Sequence, residues 1–348
     1  MSKEPNVKNE RNTPLRFSMD VILAAKGIAV VLMLIHHLFV CCPELAEGYR
    51  VSSKLFSLDQ IYQISTLSKI CVATFVFLTA YGMSVTAAGK KPNPVKRLKK
   101  LLPSFWVVYL AAILTCFMRP DHLSIYFGEG KFKGLVYMVM DACGLSNMVG
   151  TPMYNETWWY MTLAILLIFL LPIAIAAYNK YGLCVLGVAA LIPYFGVPMN
   201  PGTTYLFAAA LGIWAANSGI FGKLKDWTAK KTIVLPLLVT VVLFAGFSLV
   251  RLRIGMVYWT DAILAFLLIL AMFLLIDCTP LKLRGCVFLG KHSMNIFLVH
   301  TLIFEYYCTK WIYRPGNWLL ITILLVISSL LVSLVLTPIQ DFVLKRIR

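Results

Sequence analysis

In the segment KGIAVVLMLIHH, Lys26 to His37, one lysine and two histidines interrupt an apolar run. Lys26 and His37 are eleven residues apart. On an α-helix that separation is three turns plus about 20°, with a rise of about 16 Å, so both side chains share one stripe at two depths. His36 is rotated about 100° away. A lysine facing lipid would cost several kcal/mol, so the stripe should face protein or a water-filled cavity. One reading is a polar pair that locks helix packing. The chemical reading is a cation at one depth and, at another, a base that titrates near neutrality. That pattern suits a long anionic ligand with a reactive end.

The elements that must position this stripe are membrane spans. The chain has 348 residues, 60% of them hydrophobic, and a mean hydropathy of +0.80. A soluble domain is far more polar, and here the apolar residues come in long runs. The fold class expected is an all-α, polytopic membrane helical bundle with no room for a sizeable soluble domain. A span needs about 20 apolar residues. On that ruler roughly ten are expected: Asp20–Cys42, Lys69–Ala88, Leu101–Met118, Thr157–Tyr178, Tyr181–Val197, Thr203–Asn217, Thr232–Val250, Val257–Ile276, Val287–Cys308 and Trp318–Ile339. The expected division is a cytoplasmic tail over 1–19, a membrane domain over 20–339 and a cytoplasmic tail over 340–348. The first 18 residues are polar and show no small-residue cleavage site, so no removable signal peptide is read.

The net charge is +17. Lys and Arg cluster between the apolar runs, which points to topology and anionic headgroups and away from nucleic acid. With the N-terminus inside, the cytoplasmic segments hold twenty Lys and Arg and the outer ones nine. The positive-inside rule therefore favours N-in and C-in. The two long outer connections are Pro43–Ser68 and Arg119–Glu156, the latter holding an interrupted apolar stretch, KFKGLVYMVMDACGL, that suits an interfacial or re-entrant helix. The nine cysteines form no C-x-x-C pair and read as small buried residues. No metal-ligand cluster is expected.

Acyl-CoA fits the stripe, with phosphates at the mouth and a thioester on a long arm. The residues also resemble a known family. RFSMDVILAAKGIAVVLMLIHHLF is similar to the first span of the integral-membrane acyltransferases, acyltransferase family 3, with Lys26 where an Arg is usual, then ten residues, then His37. ATFVFLTAYGMS resembles the second-span pattern F-F-x-L-S-G-Y-G, with Thr79 for Ser and Ala80 for Gly. VKRLKKLLPSFW is similar to R-x-x-R-x-x-P-x-x-W, with Arg97, Pro103 and Trp106 matching and Lys100 replacing the second Arg. TWWYMTLAILLIFLLP resembles the fourth span, where Ala164 and Ile165 stand in the stretch in which some members carry glutamates, so no glutamate role transfers. LGKHSMNIFLVH is similar to L-G-x-x-S-Y-x-I-Y-L-x-H. The resemblance runs from about Arg16 to Gln340, nearly the whole chain.

The resemblance implies transfer of an acyl group, acetyl first of all, from cytoplasmic acetyl-CoA to a hydroxyl of a cell-surface glycan or its lipid-linked precursor. It implies a multi-pass protein of the plasma membrane. A sugar hydroxyl needs a base as it attacks the thioester, and His37 is the candidate; an acyl-histidine intermediate is the alternative route. Arg97 and Lys100, three apart, share a face if their helix has begun, and suit CoA phosphates; Lys26 suits the pyrophosphate or pantetheine path. His300 lies about 20 Å into its span, at a depth comparable to His37, and either orients the acceptor or His37 or is a satisfied packing histidine. Trp159, near the start of its span, suits the interfacial belt or a sugar ring. Thr79 and Tyr81 are candidates for the cavity wall. Arg251 and Arg253 sit on an expected outer turn, either solvated or touching the acceptor. Two rival functions remain at this point: a transporter or flippase of glycan precursors, and a shuttle that carries acyl groups across the membrane for a partner. The absence of an internal repeat counts against the transporter.

Overall fold

A computed structural model describes residues 17–90, 92–118, 120–197, 199–255 and 257–347. Most of the tail expected over 1–19 lies outside the described residues, as do Lys91, Arg119 and Arg348 of the charge count. The described residues are almost entirely helical. In chain order the helices are α1 (Met19–His36), α2 (Pro43–Gly48), α3 (Leu58–Leu67), α4 (Ile70–Ala87), α5 (Pro94–Leu114) and α6 (Pro120–Phe127). They continue with α7 (Lys131–Ala142), α8 (Ser146–Val149), α9 (Trp159–Tyr181), α10 (Leu183–Leu191), α11 (Pro201–Thr204) and α12 (Leu206–Asn217). The last six are α13 (Ile220–Lys230), α14 (Val234–Ile254), α15 (Val257–Asp277), α16 (Arg284–Thr301), α17 (Thr309–Tyr313) and α18 (Trp318–Ile347). Helices α1 and α16 each continue as a π-helical turn, His37–Cys41 and Leu302–Tyr307.

Seven helical stretches are long and apolar enough to cross a membrane, or eight if the pair Gly202–Asn217 and Ile220–Lys230, bent by 58°, counts as one span. Helices also stand where the other expected spans lie, but they fall short by length or charge. The first two turns of α5 carry Lys96, Arg97, Lys99 and Lys100. Helix α10 and the turn after it make a stretch of only thirteen residues, Leu183–Phe195. Helix α14 displays Val234, Leu235, Leu238, Val239, Val241 and Val242 on its surface. A continuous apolar face of this kind is at home against lipid tails.

The tightest crossing is between α1 and α16. A Cβ on Gly290 would sit 1.8 Å from the Leu23 carbonyl oxygen, and one on Gly27 would sit 2.0 Å from that of Cys286. Small residues at such a crossing let two backbones touch, which is how helices gain packing energy in lipid, where burial from water no longer drives association. This contact matters for the candidate site because α1 and its π turn carry Lys26 and His37 and α16 carries His300. Ser18 caps α1 by accepting from the Val21 amide, and its own amide donates to Asp277 at the end of α15. The start of α1, the end of α15 and the starts of α5 and α16 thus mark one end of the bundle, here the basic end. The π-helical turns and helices α2, α3, α6 to α8 and α17 form the loop end.

The segment KFKGLVYMVMDACGL contains the twelve-residue α7, too short to span a bilayer. Phe132, Leu135, Val136 and Val139 are exposed on it. Its end is pinned inward: Asp141 is buried and accepts hydrogen bonds from Tyr126 Oη and, at 2.7 Å, from the Tyr154 amide.

Candidate active site

One large cavity of about 1390 Å³ runs beside α1. Its wall takes in Leu23, Lys26, Met33, His36, His37 and Cys41 of that helix and its π turn. Leu23 to Cys41 spans eighteen residue steps, about 27 Å at 1.5 Å each, so the cavity follows α1 through most of its length. Lys26 and His37 both face it, as the eleven-residue step requires.

At the basic end, Arg97 and Lys100 line the same cavity as Lys26. Helix α5 begins at Pro94 behind an Asn93 cap that accepts from the Lys96 amide, so the two side chains fall three apart on a formed helix and share a face. Lys291, Asn295 and Gln340 join them. Asn295 and Gln340 exchange amide hydrogen bonds at 2.9 and 2.7 Å, and Gln340 also donates to the Ser104 carbonyl at 2.9 Å. This lattice ties α16 and α18 to α5 beneath the cationic cluster. Four cations, Lys26, Arg97, Lys100 and Lys291, thus share this end of the wall with Asp341, an arrangement able to take an anionic group, bidentate through Arg97 and point-like through the lysines.

At the loop end the histidines meet. The His37 and His300 ring centroids are 4.9 Å apart, edge to face, and those of His36 and His37 are 5.6 Å apart. His300 is fully buried. Its Nδ1 lies 2.6 Å from the Phe297 carbonyl oxygen, which can only accept, so Nδ1 carries the hydrogen. Nε2 is then an acceptor and faces Thr301 Oγ1 at 3.2 Å. Thr157 Oγ1 continues the chain, 3.1 Å from Thr301 Oγ1 and 2.8 Å from Asn155 Oδ1. His36 is held differently, with Nδ1 donating to the Ser65 carbonyl at 2.9 Å. Among the described residues no hydrogen bond engages the His37 ring, whose nitrogens are left to whatever enters the cavity. A base free to take a proton, beside a second imidazole locked in one tautomer, suits proton abstraction from a hydroxyl.

The wall at this end also holds Trp159, Tyr160, Asn147, Thr151, Glu156 and Asn200. Aromatic faces mixed with amides and hydroxyls suit a polyhydroxylated ligand. Thr79 is on the cavity wall, its hydroxyl donating to the Phe75 carbonyl at 2.7 Å. Tyr81 is not on it: the ring stacks on Phe17 at 3.9 Å and its hydroxyl accepts from the Phe17 amide at 3.3 Å, fixing the entry into α1. Arg251 and Arg253 lie in the last turn of α14 and not on a free turn. Arg251 is buried, with Nε 2.7 Å from Asp261 Oδ1, and Arg253 is exposed. Neither lines the cavity. Burial in an apolar bundle makes the α15 carboxylate the partner of Arg251, and a charge balance of that kind cannot be seen from the α14 sequence alone.

Three features of the wall were not singled out from sequence for a role here. Asn295 and Gln340 are polar residues inside apolar runs, which is the signal that would have found them. Lys69 gives the same signal from the start of α4. Among the described residues no group of His, Cys, Asp and Glu has the arrangement of a metal site.

A polytopic helical bundle with a long cavity, cations at one end and two histidine rings in contact at the other defines the class of protein: a multi-pass membrane protein with a candidate active site inside the bundle. The sequence matches the acyltransferase domain of acyltransferase family 3 over residues 20–338, and the chain belongs to that family. It is a multi-pass membrane acyltransferase. No curated protein and no solved structure shows significant similarity to it.

Proposed function

We propose that the protein moves an acetyl group from cytoplasmic acetyl-CoA to a hydroxyl of a cell-surface glycan or its lipid-linked precursor, in the plasma membrane. In this reading the N- and C-termini are cytoplasmic, the basic end opens inward and the ten helical segments cross the bilayer. Lys26, Arg97 and Lys100 hold the CoA phosphates. The pantetheine arm follows the α1 stripe, and the thioester reaches His37. The acceptor enters from the loop end past Trp159 and Tyr160.

The observation that supports the reading is a single cavity with Lys26, Arg97 and Lys100 at one end and the His37–His300 pair at the other. A donor and an acceptor from opposite sides of a membrane can meet in such a cavity without the protein carrying either across. His37 acts as general base: it takes the hydroxyl proton as the oxygen attacks the thioester carbonyl, then returns it to the departing CoA sulfur. The rise of about 16 Å from Lys26 to His37 along α1 keeps the phosphates clear of the reacting carbonyl.

The test uses membranes bearing the wild type or His37→Ala, given radiolabelled acetyl-CoA. Label should pass to glycan with the wild type and not with the variant. Full transfer by His37→Ala would remove His37 from the chemistry. Surface polysaccharide from cells lacking the protein should lose the acetyl mass; an unchanged mass would overturn the acceptor assignment.

A further inference from the structure

Lys69 takes no part in the mechanism above, yet it is placed for one. It occupies the break between α3 and α4, half-buried, with its side chain on the cavity wall. The other lysines and arginine of the described wall are Lys26, Arg97, Lys100 and Lys291. Arg97, Lys100 and Lys291 stand in the early turns of α5 and α16 at the basic end, and Lys26 is on the second turn of α1. Helix α4 runs the other way, its eighteen residues covering about 27 Å, so its leading residue stands at the loop end. Lys69 is therefore the one lysine or arginine of the described wall at the depth of the histidines.

Its side chain shares the cavity wall with His36, His37 and Cys41 at that end. Glu156 and Glu305 share the wall, yet among the described residues the ion pairs within 4.0 Å are Lys133–Glu129 and Arg251–Asp261, neither of which includes Lys69. Asp261 spends one oxygen on Arg251 Nε at 2.7 Å. A lysine on the inner wall of a membrane bundle is costly, and such groups mark functional positions.

We propose that Lys69 is the electrophilic residue of the acyl transfer, its ammonium receiving the negative charge that builds on the acyl carbonyl oxygen beside His37. This rests on the reaction proposed above. The acceptor hydroxyl gives its proton to His37 and its oxygen bonds to the carbonyl carbon. The carbonyl π pair moves onto oxygen, which becomes an oxyanion against the Lys69 ammonium. The pair then returns, the carbon–sulfur bond breaks, and the thiolate leaves with the proton held by His37. The cations at the basic end are engaged with phosphates and lie too deep to serve this oxygen. A charge aimed at the transition state inside a low-dielectric cavity is the strongest electrostatic aid available to acyl transfer.

The experiment measures label transfer from radiolabelled acetyl-CoA in native membrane vesicles, with their own acceptor, for wild type, Lys69→Met, Lys69→Gln and Lys69→Arg. Expected is a fall in kcat of about a hundredfold for Lys69→Met with the KM for acetyl-CoA held within about twofold, and partial recovery in Lys69→Arg. Lys69→Gln, which keeps a donor without the charge, should fall between them, and it carries the test if Lys69→Met does not accumulate. A Lys69→Met or Lys69→Gln variant with near wild-type kcat overturns the assignment, as does a loss confined to the KM of the donor or of the acceptor. Wild-type vesicles that transfer no label overturn the acetyl-transfer reading itself, which separates that failure from the failure of Lys69.

Discussion

The imidazoles of His37 and His300 meet edge to face at 4.9 Å, across the contact between α1 and α16. His300 is anchored by Phe297 and Thr301, while the His37 ring is not hydrogen-bonded within the described protein. In the proposed reaction the anchored ring is the wall against which the His37 ring is held. His300→Phe keeps a ring of similar bulk but removes the tautomer lock and the polar edge. It should lower kcat about tenfold or more with little change in the acetyl-CoA KM, because the proposed function places the donor phosphates at the other end of the cavity. A variant whose loss appears in KM, or only in protein yield, would give His300 a packing role instead.

What the sequence made legible was periodic. Lys26 and His37 could be placed on one stripe because a straight helix has a fixed turn, and α1 is straight until its π turn begins at His37. Arg97 and Lys100 were readable for the same reason once α5 was granted an early start. Relationships across helices were not. Lys69 was visible as a charge at the edge of a span, but its connection to the histidines depends on α3 running almost unbroken into α4, where the apolar pattern suggested a loop up to Ser68. Arg251 read as a solvated residue because its partner, Asp261, is ten positions away on the next helix. Length and apolarity alone leave the span count between the seven or eight stretches that meet both and the ten expected, because α5 carries charge in its first turns and α10 is short.

The α1–α16 crossing should be intolerant of any side chain. Gly290→Ala would bring a methyl to 1.8 Å from the Leu23 carbonyl oxygen, a contact that only separation of the helices can relieve. The cost expected is about 1–3 kcal/mol, the range for overpacking in a close-packed interior. Gly285→Ala, on the same helix with nothing within 4 Å of the new methyl, is the control. Thermal unfolding in detergent should show a lower Tm for the first and an unchanged or slightly raised one for the second. Activity should fall with Gly290→Ala even below its Tm, since the histidines ride on these two helices.

The Arg251–Asp261 pair should be worth little as a pair and much when halved. Both side chains are almost wholly buried, and Asp261 Oδ2 has no hydrogen-bond partner among the described residues. Asp261→Leu leaves an uncompensated guanidinium inside the bundle, expected to cost about 3–5 kcal/mol. Replacing both residues by Leu should recover most of that loss, because the desolvation penalty of the two charges disappears along with their attraction. A double variant as unstable as the single one would show that the carboxylate serves something besides Arg251.

The loop end should loosen as pH rises through the acid range, through Asp141. Burial pushes its carboxyl from the ordinary 3.8 up to about 6, against the pull of hydrogen bonds from Tyr126 and the Tyr154 amide. A carboxyl whose folded value is raised contributes stability that is fully present below pH 3.8 and is lost as pH rises through about 6. The difference, at about 1.36 kcal/mol per unit, sets an upper scale of about 3 kcal/mol for the local fold. Hydrogen exchange at the Tyr154 amide should accordingly quicken from pH 4 to pH 7 by more than the intrinsic chemical rate. Asp141→Asn, which keeps an acceptor oxygen and cannot ionise, should abolish that extra acceleration and hold the α7–α9 connection closed at pH 7. Equal pH dependence in the two proteins would remove Asp141 as its source.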